Sequence, residues 1–184
     1  MNAFDWTVLA SQDVIRDKWL TVRADTCRMP DGRIIAPCYV FEYRPWVNVV
    51  ALTRDQQIVL VKQYRHGVQQ TILELPGGTT DPRDASPLEA IKRELLEETG
   101  YVSDHVVEVG QFYPNPASHN NTVHGFLALD VERVAAPHLD DTEQIETVLM
   151  PLDDLIEFAK QGGLAQSLHL STLFFALARL GHLK

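Results

Sequence analysis

Cysteine is scarce in this chain of 184 residues: Cys27 and Cys38 are the only two. Neither belongs to a Cys-x-x-Cys or Cys/His cluster, which argues against a structural zinc site. They could face each other across a hairpin, but a disulfide is not expected in a reducing compartment, so both are read as small buried hydrophobes. Long apolar runs are missing too; none approaches the roughly 18–20 residues that cross a bilayer. The opening segment, MNAFDWTVLASQDVIRD, has acidic residues early and lacks the basic-then-apolar order of a signal peptide, so a cytoplasmic location is expected. Basic residues are outnumbered, 16 Lys and Arg against 25 Asp and Glu, for a net charge of −9. That balance argues against nonspecific nucleic-acid or anionic-membrane binding. It leaves a phosphorylated small molecule open, because a bound metal can reverse the field locally. Repeats, low-complexity runs and Gly/Ser linkers are absent.

What remains is an ordinary globular composition, 45% hydrophobic and 22% charged, sized for one full domain with a small appendage. Residues 1–45 carry three β-rich runs, WTVLASQDVI, WLTVRADTCRM and RIIAPCYVFEY, with a hairpin turn at Pro30-Asp31-Gly32. Arg44-Pro45 breaks the last run, since proline cannot donate to a ladder. An N-terminal β-element over 1–45 and a main domain over 46–184 are therefore expected. In the main domain WVNVVALT, IVLVKQYR and TILEL predict strands, leading into a turn at Pro76-Gly77-Gly78. Further strands are expected near VVEVGQFY, TVHGFLALDV and IETVLMPL, and helices near DDLIEFAK and SLHLSTLFFALARL, the last a core-packing cap. The class is mixed α+β.

The segment after the glycines has explicit helix signals. Ser86 suits the N-cap, Pro87 the first helical position and Glu89 the third, completing a capping box; Gly100 suits the residue past the end. At about 100° per residue, Leu88, Ile91 and Leu95 fall within an arc of about 60°, while Glu94, Glu97 and Glu98 span a separate arc of about 100°. Like charges at that spacing repel. The acidic face is either solvated or holds a cation. Hard divalent ions such as Mg²⁺ take oxygen ligands, commonly one or two carboxylates plus water and phosphate. Gly77-Gly78 would let backbone approach a ligand closely, and Arg93 could orient one acid by a paired hydrogen bond.

The run GG…REL-x-EE-x-GY resembles the Nudix box, Gly-x5-Glu-x7-Arg-Glu-U-x-Glu-Glu-x-Gly-U, with Arg93, Glu94, Leu95, Glu97, Glu98, Gly100 and Tyr101 matching in order. The box's first glutamate falls on Ala85, and the loop before it is one residue longer than the pattern; Asp81 and Asp84 lie near enough to stand in partly. The resemblance implies a Nudix α/β/α sandwich with a mixed sheet and Mg²⁺, with Mn²⁺ as possible substitute, on Gly77, Glu94, Glu97 and Glu98. Glu94, Glu98 and Arg93 would be catalytic.

The N-terminal strands, the LPGG turn and VLVKQYRHG resemble the ADP-ribose pyrophosphatase and nucleoside-diphosphate-sugar hydrolase group. In that group the N-terminal element helps form a homodimer and part of the substrate pocket. Arg65 matches an arginine that contacts the diphosphate, and Glu74 a position assisting metal or substrate. Trp19 matches a base-stacking aromatic, whereas Pro37 stands about where some members have a second. Pro116 marks the ADP-ribose-type subgroup, yet Ala117-Ser118-His119-Asn120 departs from its usual continuation. Glu143, with Glu146 next along, matches a late loop glutamate that serves as base. The implied activity is Mg²⁺-dependent hydrolysis of ADP-ribose or a related nucleoside-diphosphate sugar to a nucleoside monophosphate and a sugar phosphate. A GDP-mannose- or ADP-glucose-type hydrolase and a weakened, ligand-sensing Nudix domain are the alternatives; Ala85 favours the second.

Overall fold

A computed structural model of the chain describes residues 3–183; residues 1, 2 and 184, which fall within the two expected domains, lie outside it. The described chain divides into two compact units, one holding the residues up to Arg44 together with Tyr113–Thr122, the other Pro45–Phe112 and the described residues from Val123 on.

The first unit is an antiparallel sheet of β1 (Thr7–Arg16), β2 (Thr21–Arg28) and β3 (Ile34–Glu42), in that order. The β2–β3 turn falls where the Pro-Asp-Gly signal predicts. Gly32 takes the left-handed conformation there at φ 88°, and the Asp31 carboxylate accepts the Arg33 N–H at 3.1 Å. Sequence alone assigned Tyr113–Thr122 to the second domain, but this stretch packs with the first unit. Phe41 N–H donates to the Ser118 carbonyl at 2.7 Å and Asn120 N–H to the Phe41 carbonyl at 3.2 Å. The His119 ring stacks between Phe41 and Tyr43, with centroids 5.3 and 5.4 Å away. Both cysteines are free thiols; Cys27 is buried as expected, but Cys38 is only partly covered, because β3 is an edge strand of the sheet.

The second unit contains β4 (Trp46–Leu52), β5 (Gln57–Arg65), β6 (Gln70–Glu74), β7 (Gly77–Thr79), α1 (Pro87–Thr99), β8 (Tyr101–Val102), β9 (His105–Phe112), β10 (Val123–Leu129), β11 (Glu132–Arg133), β12 (Ile145–Pro151), α2 (Leu152–Lys160) and α3 (Ser167–Leu180). Its main sheet runs β12-β5-β4-β10-β9. β4 and β10 are parallel and the other pairs antiparallel, so the sheet is mixed. Alternation along the strands sorts the core into two faces. Val47, Val49, Ala51 and Val59 pack with Ala90, Ile91 and Leu95 of α1. Val50, Leu52, Ile58 and Leu60 pack with Leu152 and Leu155 of α2 and Leu173, Ala176 and Leu177 of α3. Each fully buried aliphatic side chain contributes about 1.5–3 kcal/mol, which makes these two faces the main source of stability. This is the expected α+β architecture, an α/β/α sandwich accompanied by a small antiparallel sheet. Among the described residues, no helix is long and apolar enough to cross a membrane.

One local expectation is corrected. Gly77-Gly78 is strand, not turn: β7 pairs antiparallel with Trp46–Asn48 of β4. β4 and β5 pair only at Ala51↔Val59 and Leu52↔Ile58 before they diverge. β6 then lines β5 and β7 lines β4, so Glu74 ends one strand and Gly77 begins the next.

Candidate active site

Helix α1 is capped at the residues its sequence signals, but only half of the expected capping box forms, because the Glu89 carboxylate pairs with Lys92 at 3.2 Å and not with the Ser86 N–H. Ser86 Oγ accepts the Glu89 N–H at 3.3 Å, and Gly100 closes the helix at φ 76° with its N–H on the Leu96 carbonyl. With Ala90, Ile91 and Leu95 buried on one side, the acidic residues are directed toward β7. The approach is close, for a Cβ at Gly78 would stand 2.6 Å from Glu94 Oε1. Only glycine leaves room for that carboxylate.

Glu98 is 5% exposed, and its Oε2 accepts the Gly77 N–H at 2.9 Å. Val49 N–H bonds the Pro76 carbonyl, and Thr80 N–H the Pro45 carbonyl. In an antiparallel ladder hydrogen-bonded pairs alternate with non-bonded ones, so Gly77 directs both its N–H and its C=O away from β4, on the Glu98 side. Burial pushes the Glu98 carboxyl up to about 8, with the Gly77 N–H offsetting part of the rise and Glu94 and Glu143 adding to it. Burial likewise pushes Glu94 up to about 7, against the pull of Arg93.

Arg93 organises the acidic face. Its Nε and Nη2 grip both oxygens of Asp84, at 3.1 and 3.0 Å, while Nη1 faces Glu97 Oε2 at 2.9 Å and Glu94 Oε1 at 3.0 Å. Asp84 sits one residue before Ala85, where the box's glutamate was missing, and the longer loop carries it to the arginine. It also accepts the Asp81 N–H at 2.6 Å, which closes that loop on itself. Glu97 is the most exposed of the three helix acids, its side chain 44% accessible. Among the described residues, no group of three or more His, Cys, Asp or Glu side chains is arranged to hold a metal ion by itself.

Arg65 and Glu74 form a pair, Nε to Oε2 at 2.8 Å. Glu74 is fully buried; burial raises its pKa despite Arg65 and the nearby Gln63 side chain, whose approach to Glu74 falls short of good hydrogen-bond geometry at Oε1. Arg65 is 43% exposed and lies near enough to Glu98 to favour its ionised form. Glu143 stands in the loop before β12, its Oε2 accepting the Asp140 N–H at 3.1 Å; its charge is felt by both Glu94 and Glu98. Glu146 instead pairs with Lys62 at 3.1 Å on the surface. Gly77, Glu94, Glu98, Glu143, Arg65 and Glu74 are thus one neighbourhood of the second unit. Trp19 and Pro116 belong to the first unit. Trp19 is 73% exposed with Lys18 Nζ 4.3 Å above its ring, and Pro116 is exposed within Tyr113–Thr122.

The donor set is entirely oxygen and fits a hard divalent cation. The carboxylates of buried Glu98 and half-buried Glu94 are held away from ionisation, buried Glu74 stands beside them, and a backbone carbonyl points the same way. Water and phosphate oxygens would complete the coordination, as is usual for Mg²⁺. Sequence reasoning missed His169 of α3, which is 4% exposed and whose Nδ1 accepts the Leu75 N–H at 3.2 Å. A histidine in the otherwise apolar run SLHLSTLFFALARL was the available signal.

Comparison with known proteins agrees with this geometry. Over 161 residues the chain is 26% identical to an ADP-ribose pyrophosphatase of Bacillus subtilis (strain 168), covering 87% of this chain and 86% of that one. It is 24% identical over 161 residues to a GDP-mannose pyrophosphatase of Klebsiella pneumoniae, covering 81% and 80%. A crystal structure of an ADP compounds hydrolase superposes with a TM-score of 0.85 at 22% identity, covering 96% of this chain and 95% of that one. Residues 6–41 match the nucleoside diphosphate sugar hydrolase N-terminal domain. Residues 42–170 match the NUDIX domain, and with the box carried on a capped helix against a glycine strand, the chain belongs to the Nudix family of pyrophosphate-cleaving hydrolases.

Proposed function

We propose that the protein hydrolyses the diphosphate bond of a nucleoside-diphosphate-linked sugar, ADP-ribose first among them, with Mg²⁺ as cofactor. The observation that carries this reading is that half-buried Glu94 and buried Glu98 face Gly77 and Gly78, with their ionised forms disfavoured by burial despite Arg93 and Arg65. A cation bound there would screen the diphosphate and acidify the attacking water. Glu98, fixed through one oxygen by the Gly77 N–H, would present its other oxygen as a ligand; Glu94, Glu97 and the Gly77 carbonyl are the remaining candidates. Arg93, anchored by Asp84, holds the Glu94 carboxylate in place. The exposed guanidinium of Arg65 would stabilise charge developing on the diphosphate. Glu143 would take the proton from water as its oxygen bonds to phosphorus and the bridging P–O bond breaks. Nucleoside monophosphate and sugar phosphate leave. Trp19 would stack on the base, and Pro116 would lie in the loop contacting the distal sugar.

Two features support a GDP-mannose-type specificity as the second reading: the Klebsiella relative, and the Pro116–Asn120 loop that departs from the ADP-ribose pattern. The bond between Asp84 and Arg93 supports an active enzyme over a ligand sensor, because the role left open by Ala85 is filled. A homodimer built on the first unit is also part of the proposal; β1 is exposed along all ten residues, with Val8, Leu9, Val14 and Ile15 on its surface, an edge that solitary proteins usually protect. A panel of nucleoside-diphosphate sugars with Mg²⁺, read by coupled phosphate release, tests the activity. ADP-ribose or GDP-mannose should be cleaved, and Glu143→Gln should lower kcat by about 10²-fold with KM little changed. Absence of turnover on every member would defeat the reading.

A further inference from the structure

Three consecutive residues follow Glu74, namely Leu75, Pro76 and Gly77, and each is fixed by a different element. The Leu75 N–H goes to His169 Nδ1 of α3, the Pro76 carbonyl to the Val49 N–H of β4, and the Gly77 N–H to Glu98 of α1. Pro76 has no N–H to contribute, so the His169 bond is the last donor-side anchor before Gly77. It spans 94 residues of sequence and is buried. The imidazole is kept neutral by burial, with nearby Arg65 pressing the same way, at a pKa of about 3. A neutral ring accepting at Nδ1 carries its proton on Nε2, which lies 3.3 Å from the Gln166 side-chain amide nitrogen; with that amide turned end for end, its oxygen accepts the Nε2 proton. The ring is then held at both nitrogens and cannot turn without losing these bonds.

We infer that His169 is a positioning residue for the catalytic turn: its Nδ1 fixes Leu75 so that the Glu74 carboxylate and the Gly77 carbonyl are held toward Glu98 and Glu94. This rests on the metal-dependent hydrolysis proposed above. A buried donor left without its acceptor would be costly. The turn would move to find another, carrying the Gly77 carbonyl with it. Groups that orient metal ligands from behind typically change metal affinity by 10–100-fold when lost.

Two substitutions separate the position of the acceptor from the mere presence of a polar side chain. His169→Asn keeps an oxygen near the place of Nδ1, whereas His169→Gln carries it outward to the level of Nε2. Hydrogen exchange at the Leu75 and Gly77 amides is measured in metal-free protein, and the Mn²⁺ Kd is measured by calorimetry. His169→Gln should speed exchange at Gly77 about tenfold, with the Leu95 amide in α1 unchanged, and raise the Mn²⁺ Kd about tenfold. His169→Asn should stay within about threefold of the parent on both. Parent-like Gly77 exchange in His169→Gln overturns the inference, as does equal damage in both variants. A parent protein that binds no Mn²⁺ would instead defeat the metal reading, and the exchange at Gly77 would still decide the role of His169.

Discussion

Two buried acids in this molecule have nearly the same exposure and opposite electrostatics. Asp25, in the N-terminal sheet, is 4% exposed, and Glu98 of α1 is 5% exposed. Burial pushes Asp25 up, but the Ser11 hydroxyl at 2.6 Å and the Arg23 guanidinium at 3.1 Å more than offset it, so its pKa ends below the ordinary value. Arg23 also reaches Glu42, which completes a closed network. Glu98 receives one backbone N–H and is pushed up to about 8. Glu98 also lies far deeper among protein atoms than Asp25, and low exposure by itself therefore does not mark a site. Burial left uncompensated does, because a charge the fold does not balance is available to balance something else.

The comparison is broken most sharply by matched amides. Glu98→Gln should lower kcat/KM about 10³-fold while the fold stays as stable or gains, since a disfavoured charge is removed. Asp25→Asn should do the reverse, costing about 2–3 kcal/mol by breaking a charged hydrogen-bond network, with the activity of folded protein unchanged. Thermal melts and steady-state rates on both variants check the pair. Equal loss of activity in both would erase the distinction.

A smaller effect is expected from Asp84→Asn, which weakens the clamp on Arg93 without touching any proposed ligand: about tenfold in Mg²⁺ affinity, read by calorimetry. The double variant Asp84→Asn with Ala85→Glu should recover part of it, if the box's usual position can reach the same guanidinium.

The smallest effect is the dependence of stability on pH. Glu98 has a folded pKa of about 8 against an ordinary 4.5, so the folded state binds its proton more tightly. Its contribution is full below about pH 4.5 and is lost as pH rises through about 8. Asp25 has the opposite sign: its contribution is present above its ordinary 3.8 and fades as pH falls below it. Metal-free protein should therefore melt a few degrees lower at pH 8.5 than at pH 6, and Glu98→Gln should flatten that slope.

How much of this was legible beforehand follows from range along the chain. Helix α1 was readable to the residue, because Ser86, Pro87 and Gly100 are local signals and the acidic arc follows from helical period alone. The longer strands were readable from β-branched runs, whereas the short β7, β8 and β11 were not; Arg93, Glu94 and Glu98 were picked out by the box. What was not readable depends on distant partners. Gly77-Gly78 looks like a turn until β4 pairs with it. Tyr113–Thr122 lies inside the second unit's sequence, yet its hydrogen bonds run to Phe41 and Tyr43. Asp84 was visible as a neighbouring acid, but its grip on Arg93 depends on how the longer loop folds, and the partner of His169 is 94 residues away.

The most direct test of the central claim is Mn²⁺ binding to the metal-free protein at pH 7, followed by calorimetry in two buffers of different ionisation heat. If Glu94 and Glu98 are the uncompensated pair that holds the cation, binding must displace protons, since about 7 and about 8 leave both partly protonated at that pH and ligands bind deprotonated. The expected result is a net release of about one proton per ion, reduced in Glu98→Gln along with affinity. Tight binding with no proton release, or binding unaffected by Glu98→Gln, would contradict the account.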